Sequence, residues 1–526
     1  MRRRNTYLAI ILVEVFIAKS ALASETTWKI HSNDRTVIKV DHESVVRESL
    51  PDSFFGININ YRRLQEQLWE LDRNAFKPQI LSHLKTLPGI WYRYPGGIVG
   101  NGFSWKESLG DISQRGYQKT PYGGKQSKAY FGLNEYLDFI EEINGTRFYV
   151  LNLVGLDPKN PMHEADIPSV SKSNAELAKY MLHNSDSSND VNYFQLGNEL
   201  DRFKYEWSSE KYIARSIATI DKISKEDEDA KFVAFLRDFK WKYKKDKSRG
   251  ESHPNDFLKE IMTGLPMVED YSLHHYYDGK RKDGKSRDIP FRLKLMQRSI
   301  DTYKEARGKA PNVWITEHAR QKSSDKPGSD GTRFYSSNLG AAISTADYLI
   351  AIAQIPEIQG SFWHGLNAGP WQLFDFSAKH SNLSPRPIFW AIRLLTATSS
   401  GKVYRTHVLS PNQSGYSGGY DTRAAVFGLE NRDGVSIWTV NRSRNASQTE
   451  LVYKPFSNQT LTMCHYHISG SEGEDPDDID LEPILKLSPT PLEVNRSENG
   501  SVTLELPPSS VSVFTISAEN NCNQLE

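Results

Sequence analysis

The sequence reads as an α/β protein, a (β/α)8 TIM barrel with a C-terminal β-sandwich, and three observations carry that reading. Apolar, strand-like runs alternate with longer helix-like stretches from about residue 50 to 395. Eight such runs can be counted, the number that closes a barrel. After about residue 400 the texture changes to short alternating strands broken by Gly, Asn and Pro. A chain of 526 residues also exceeds the roughly 250–300 residues at which a single core stops growing. The expected division is a signal segment at 1–23, strands joining the sandwich at 24–49, the barrel at 50–398 and the sandwich at 399–526.

Taken in order, Met1-Arg2-Arg3-Arg4, the apolar stretch Tyr7–Ala18 and Ala21-Leu22-Ala23 follow the basic, apolar, small-residue order of a secretory signal, with cleavage expected before Ser24. The stretch is interrupted by Glu14 and is shorter than the roughly 20 apolar residues that span a bilayer. The expectation is a secreted or periplasmic protein with no membrane association once the signal is removed. Thr27–Val40 alternates and is expected to add strands to the sandwich.

The eight expected barrel strands are Phe54–Ile59, Ile90–Tyr94, Phe148–Val154, Tyr193–Asn198, Phe232–Leu236, Tyr271–Tyr276, Val313–Glu317 and Ile358–His364. Between them Leu133–Ile143, Ala175–His183, Glu210–Ile223, Phe291–Ala306 and Leu339–Ile355 carry apolar residues at helical spacing, as outer helices do. Sandwich strands are expected at Ala424–Leu429, Val435–Val440, Leu451–Tyr453, Val502–Leu506 and Val511–Ile516. The two cysteines, Cys464 and Cys522, lie far from every chemical candidate and fit one bridge tying down the final segment. The acidic run Glu472–Asp478 reads as a solvated loop, with calcium binding as the alternative. Of eight Asn-x-Ser/Thr sites, six follow residue 400; they carry glycans only in a eukaryotic host.

Lys+Arg and Asp+Glu both number 65, so overall charge points neither to nucleic acid nor to a membrane surface. The distribution is less even. The segment after the second strand holds Lys106, Arg115, Lys119, Lys125 and Lys128, that after the fifth runs from Arg237 to Arg249, and that after the sixth holds Lys280–Arg287. Loops following barrel strands open onto one face, where clustered cations would gather an anionic chain and pair with carboxylate or sulfate. Trp241, Tyr243 and Tyr122 interleave with them. Ordinary solvated loop charge is the competing reading, since Asp238, Asp246, Asp278 and Asp283 dilute the effect.

The chemistry resides in two carboxylates. Glu199 ends the apolar run from Tyr193, Glu317 ends the run from Val313, and both fall at the C-terminal ends of strands, the fourth and the seventh. Cleaving a glycosidic bond takes one carboxyl group to protonate the leaving oxygen and a second to attack the anomeric carbon. No His/Asp/Glu cluster has metal-ligand spacing and no Gly-rich phosphate loop follows a strand, so no cofactor or metal is expected. Pro95-Gly96-Gly97 reads as a turn off the second strand.

Here the chain resembles the retaining glycoside hydrolases of clan A, in which an acid/base Glu follows Asn on strand four and the nucleophile lies on strand seven. Trp91-Tyr92-Arg93-Tyr94-Pro95-Gly96-Gly97, Leu196-Gly197-Asn198-Glu199-Leu200-Asp201 and Ser272-Leu273-His274-His275-Tyr276-Tyr277 are similar to motifs of the family 51 arabinofuranosidases, over roughly residues 50–400. The resemblance implies Glu199 as acid/base, Glu317 as nucleophile and Asn198 as donor to the sugar 2-hydroxyl, with Arg93 beneath the nucleophile, Tyr276 donating to it and His274 nearby. Trp363 is expected on the pocket floor, stacking on a sugar, with core packing as the alternative, and Arg237 among the substrate-binding cations. A nucleophile kept ionised needs a cation and a donor, whereas the acid should occupy a less polar setting.

Thr316-Glu317-His318-Ala319 departs from the Asp-Glu-Trp pattern of the arabinofuranosidases, which bears on the substrate more than the chemistry. The expected activity is double displacement on a polysaccharide, anionic if the basic loops are functional, as in family 79 heparanases and glucuronidases or family 86 agarases and porphyranases. An α-L-arabinofuranosidase acting on neutral glycans is the alternative. A carbohydrate-binding protein without turnover is the alternative of another class, and nothing in the sequence demands a lyase.

Overall fold

The computed structural model describes residues 36–525 except 63–67, 71, 119–126, 156–163, 185–191, 203–204, 206, 237–253, 279–287, 322–335, 368, 376–382, 411–419, 430–433, 457–459, 479, 495–499, 519–521 and 524. The signal segment, most sequons and the loop cations from Arg237 to Arg249 and Lys280 to Arg287 lie outside the described residues.

Eight parallel strands close a barrel: Phe55–Asn58, Trp91–Tyr94, Thr146–Val150, Tyr193–Gln195, Lys231–Phe235, Asp270–Tyr277, Asn312–Arg320 and Ile358–Trp363. Each coincides with an expected strand, because strands covered on both faces are written as apolar runs. All five expected helices form, the second beginning earlier than expected, at Ile167. Three more, Pro78–Leu84, Pro254–Gly264 and Pro387–Thr396, were not expected. Each opens on proline, whose fixed φ and missing N–H suit the first helical turn.

Within the barrel a layer of aromatic side chains closes the bottom: Trp91, Phe148, Trp314 and Phe362 cluster with Val233, and Tyr193 packs against them. Their bulk is accommodated by small partners. A Cβ on Gly56 would lie 2.0 Å from the Phe362 ring, and one on Gly360 2.6 Å from Trp314. Two residues further along the second strand the inward side chain is Arg93, so the barrel turns from apolar to polar towards its C-terminal mouth.

The second part is a single ten-stranded sheet that curls on itself. The strand Thr36–Arg47 lies within it, antiparallel to Val403–Leu409 and parallel to Ser447–Val452, so the N-terminal segment does join the sandwich. Alternate residues face opposite ways. Val435, Ile437, Phe514 and Ile516 join Ile38, Leu451 and Leu504 in the enclosed core, whereas Trp438, Val440, Val511 and Val513 pack into the barrel's own core. Every residue of helix Leu339–Ala353 is buried, because the helix lies between barrel strands and this sheet. Cys464 and Cys522 form a disulfide with Cα atoms 5.7 Å apart.

One expectation about the sandwich is refined and one needs correction. The acidic run is mostly exposed, as a solvated loop is, but Asp477 anchors it: Asp477 pairs with Arg320 at the end of the seventh barrel strand at 2.5 Å, Asn338 donates to the Asp477 carbonyl, and Gly340 N–H donates to that of Pro476. The Asn441 sequon is fully buried, and its amide donates to the carbonyls of Asn445 and Pro507, which leaves no room for a glycan. Among the described residues no helix is long and apolar enough to cross a membrane.

Candidate active site

The polar layer above the aromatic plug is organised by Arg93, which is completely buried. Its Nε donates to Gln195 Oε1 at 2.8 Å, Nη2 to Asn198 Oδ1 at 2.6 Å, and Nη1 to Asn58 Oδ1 at 2.5 Å and to Glu317 Oε1 at 3.2 Å. One planar fork thus gathers side chains from the first, second, fourth and seventh strands. Asn58 in turn donates to the carbonyls of Thr316 and Trp363, which ties the first strand to the seventh and eighth.

Glu317 points inward through a slip in register. Ser272 pairs with Trp314 and Leu273 with Ile315, but His274 pairs with Glu317, leaving Thr316 extra. Strict alternation from the inward Trp314 would turn Glu317 outward; the extra residue re-aims it. On the unbulged sixth strand Ser272, His274 and Tyr276 share the inner side, while His275 and Tyr277 turn out to Tyr348. Tyr276, not Tyr277, is therefore the phenol at the site, and its hydroxyl lies 2.9 Å from Glu317 Oε2.

Glu199 is reached differently. The fourth strand ends at Gln195, and the chain then turns sharply through Gly197 (φ 71°) and Glu199 (φ 48°), both left-handed. For a glutamate that conformation costs on the order of 1–2 kcal/mol. It is held by Asn101, whose side chain accepts from the Asn198 N–H at 2.9 Å and donates to the Asn198 carbonyl at 2.6 Å. Gly97 is the second special glycine: a Cβ there would sit 2.5 Å from Glu317 Oε1 and 3.6 Å from Asn198 Nδ2. Since Asn198 Oδ1 is taken by Arg93, its Nδ2 is the donor beside Glu317.

His274 joins the two carboxylates, with Nδ1 2.8 Å from Glu199 Oε1 and 3.5 Å from Glu317 Oε2. Facing two acceptors, Nδ1 carries the proton, and Nε2 meets the Thr316 hydroxyl at 3.2 Å. One oxygen from each glutamate and this nitrogen all lie within 4.8 Å of one another. His364 closes the other side, 3.4 Å from Glu317 Oε2 and 2.6 Å from the Tyr276 hydroxyl.

For Glu317 burial works against ionisation, but His274, His364 and Arg93 outweigh it and hold the carboxyl well below the ordinary range. Burial, with both glutamates beside it, pushes the Tyr276 phenol far up, so it stays a donor. Glu199 departs from expectation. Burial raises it, yet the His274 hydrogen bond and the charge of Arg202, 2.5 Å away, bring it below the usual value. The setting of this carboxyl is polar, not apolar, because a cation three residues along folds back onto it.

Trp363 does not line the pocket. It is 1% exposed, its indole N–H donates to the Trp371 carbonyl, and its ring meets His318 edge-on. The half-buried Trp371 is the aromatic beside the site, against His364 and Tyr276. Of the basic residues after the second strand, Arg115 is buried in a two-pronged pair with Glu135, Lys106 pairs with Glu176 and Lys128 donates to the Ser113 carbonyl, so these three serve the scaffold. Lys119, Lys125 and Arg237 lie outside the described residues. Arg202, Asn101, Asn58, Gln195, Gly97 and His364 belong to the site and went unrecognised as such in the sequence. Only Gly97, the last residue of the strand-two motif, carried a signal there.

Comparison with known proteins agrees with this geometry. Residues 83–286 match the family model described as alpha-L-arabinofuranosidase 1 domain. A probable alpha-L-arabinofuranosidase A of Aspergillus terreus is 32% identical over 135 residues, 24% of this chain. An exo-alpha-(1->6)-L-arabinofuranosidase of Bifidobacterium longum is 26% identical over 136 residues, 25% of this chain. The matched stretches amount to 20% and 26% of those relatives' own lengths. Among solved structures, an alpha-L-arabinofuranosidase from Thermotoga maritima in complex with arabinose superimposes with a TM-score of 0.70 at 15% identity, covering 92% of this chain and 100% of its own. A family 51 alpha-L-arabinofuranosidase from Bifidobacterium longum does so with the same score and coverage at 14% identity. The fold is therefore that shared by clan A glycoside hydrolases with a β-sandwich. Within that class the chain resembles the family 51 arabinofuranosidases.

Proposed function

We propose that this protein is an exported retaining glycoside hydrolase that releases α-L-arabinofuranosyl units from a glycan by double displacement. One observation carries the reading: oxygens of Glu199 and Glu317 lie within 4.8 Å of each other across one pocket mouth. Retaining enzymes hold their carboxyl groups about 5–5.5 Å apart, whereas inversion needs roughly 6.5–9.5 Å to admit a water. Glu317, kept ionised, attacks the anomeric carbon while Glu199 gives its proton to the departing oxygen. Glu199 then takes a proton from the water that hydrolyses the ester formed on Glu317. Asn198 Nδ2 is placed to hold the 2-hydroxyl, and Trp371 offers a ring face to the sugar. The arabinofuranosyl assignment is supported by the family match over residues 83–286. Export is supported by the order of residues 1–23 and fits the Cys464–Cys522 bridge.

Incubation with aryl α-L-arabinofuranosides and matched pyranosides, followed by proton NMR of the first-formed sugar, tests both parts. Hydrolysis of the furanoside with retained anomeric configuration is expected. Preference for a pyranoside would overturn the sugar assignment, inversion would overturn the mechanism, and binding without turnover on every glycan would favour the non-catalytic alternative.

A further inference from the structure

Glu199 Oε1 accepts from two donors of different character. His274, its side chain 1% exposed, is fixed between Glu199 and Thr316 on an inner strand. Arg202 reaches the same oxygen through Nη1, but its side chain is 35% exposed and it sits on the irregular chain just past the fourth strand. The other groups facing Glu199 are Glu317 and Tyr276, with Arg93 on the second strand and His364 just past the eighth behind them, and Asp201 lies 3.9 Å from Arg202 Nε. Of the two guanidiniums, Arg93 is sealed inside the barrel and Arg202 stands at the solvent side.

A general acid must carry its proton when the glycosidic oxygen departs, and a cation in contact favours the form without it. Arg202 therefore opposes the first step for as long as it stays on Glu199. If Glu199 is the group that protonates the leaving oxygen, its carboxyl borders the leaving-group subsite, and Arg202, 2.5 Å from Oε1 and on the solvent side, borders that subsite too. An Arg fork is built to exchange one oxyanion for another.

We propose that Arg202 is a specificity residue of the leaving-group subsite: a carboxylate or sulfate on the released sugar draws the guanidinium off Glu199 and lets Glu199 take up the proton it delivers. The step balances. A solvent proton moves to Glu199 as Arg202 changes partner and passes to the glycosidic oxygen as that C–O bond breaks, while Glu317 forms the new bond to the anomeric carbon. The proposal rests on the glycosidase reading above and narrows its substrate to arabinofuranosyl units borne on an acidic chain.

The test is a titration of Glu199 by carbon-13 NMR of labelled glutamate carboxyls, assigned by difference with Glu199→Gln. It is run at constant ionic strength, alone and with glucuronate or inorganic sulfate, on the parent and Arg202→Gln. In Arg202→Gln the Glu199 midpoint is expected to rise by roughly one pH unit. In the parent one of the anions raises it, which tells carboxylate from sulfate, and in Arg202→Gln neither does. An unmoved midpoint in the variant, or an anion response that survives in it, overturns the proposal. In turnover, the ratio of kcat/KM for an acidic over a neutral leaving sugar is expected to fall about tenfold in Arg202→Gln, roughly the worth of one charge-assisted pair. Arg202→Lys, which keeps the charge, should retain most of the ratio. Hydrolysis with an unchanged ratio sinks this inference alone, whereas a parent inactive on every furanoside sinks the reading beneath it.

Discussion

Arg93 Nη1 lies 3.2 Å from Glu317 Oε1 at a point where the guanidinium is wholly buried. The same group also binds Gln195, Asn58 and Asn198, so it fixes Glu317 relative to three other strands. Arg93→Lys keeps a charge but not the fork. It should cost about 1–3 kcal/mol in stability through stranded amide oxygens and lower kcat at least about 100-fold through misplacement. Chemical denaturation and steady-state kinetics on the same preparations check both. A variant with parental kcat would show that Arg93 merely fills the barrel.

Gly97 tests the same point without replacing a charged group. Its Cβ would fall 2.5 Å from Glu317 Oε1. Gly97→Ala should lose about 100-fold in kcat, the usual consequence of displacing a reacting atom by about 1 Å. Unchanged kcat would mean that Glu317 is not held where the chemistry occurs.

The pH dependence follows from the lowered Glu317 carboxyl. A folded-state value below the unfolded one of about 4.3 stabilises the protein fully above that pH, and the contribution is lost as pH falls through the folded value. Stability of the parent should therefore drop more steeply than that of Glu317→Gln below about pH 4.3. Parallel curves would remove the argument for a permanently ionised nucleophile. Because Glu199 is lowered as well in the free enzyme, kcat/KM on neutral substrates should already decline on the alkaline side of that range.

A third kind of test separates the roles of the two glutamates. Glu199→Ala should lose about 10²–10⁴-fold on substrates that need a protonated leaving group, the usual worth of general acid catalysis, and much less on activated aryl glycosides. Azide should restore turnover and give a glycosyl azide of retained configuration, since it attacks the intermediate where water would. With Glu317→Ala any azide product should be inverted. Exchanged stereochemical outcomes would mean that the roles are reversed.

The contact between barrel and sandwich makes a prediction about stability. Arg442, from the sheet, holds Asp278 at 2.6 Å and also pairs with Asp347 of the buried helix, which Tyr420 and Arg423 contact too. Arg442→Met leaves buried carboxylates short of a cation and should cost about 3–5 kcal/mol. Asp278 follows Tyr276 by two residues, so kcat should fall as well. A loss in denaturation midpoint with no change in kcat would limit the sandwich to a stabilising role.

Much of this was legible in the sequence, for identifiable reasons. Buried parallel strands such as Val313–Ile315 announce themselves as apolar runs, and the glutamates stand where those runs stop. Tyr276, which the resemblance implied, is also the residue that strand alternation turns inward. Features that depend on departures from regularity were hidden: the extra Thr316 that turns Glu317 inward, and the left-handed Glu199 that brings Arg202 back over it. Contacts across the fold were hidden as well. Asn101 is 97 positions from Asn198, and Asp477 is 157 from Arg320. Trp363 shows the limit of residue type as a guide, since an indole that could face a sugar instead lies buried inside the protein, and the half-buried Trp371 is the one beside His364 and Tyr276.

The most direct test of the carboxylate pair is trapping of the glycosyl-enzyme with a 2-fluoro arabinofuranosyl donor bearing an activated leaving group, followed by peptide mass mapping. The account predicts one sugar per chain, esterified to Glu317, and none on Glu317→Gln. A label on Glu199 or any other residue, or hydrolysis with no trapped ester and inverted product, would contradict it.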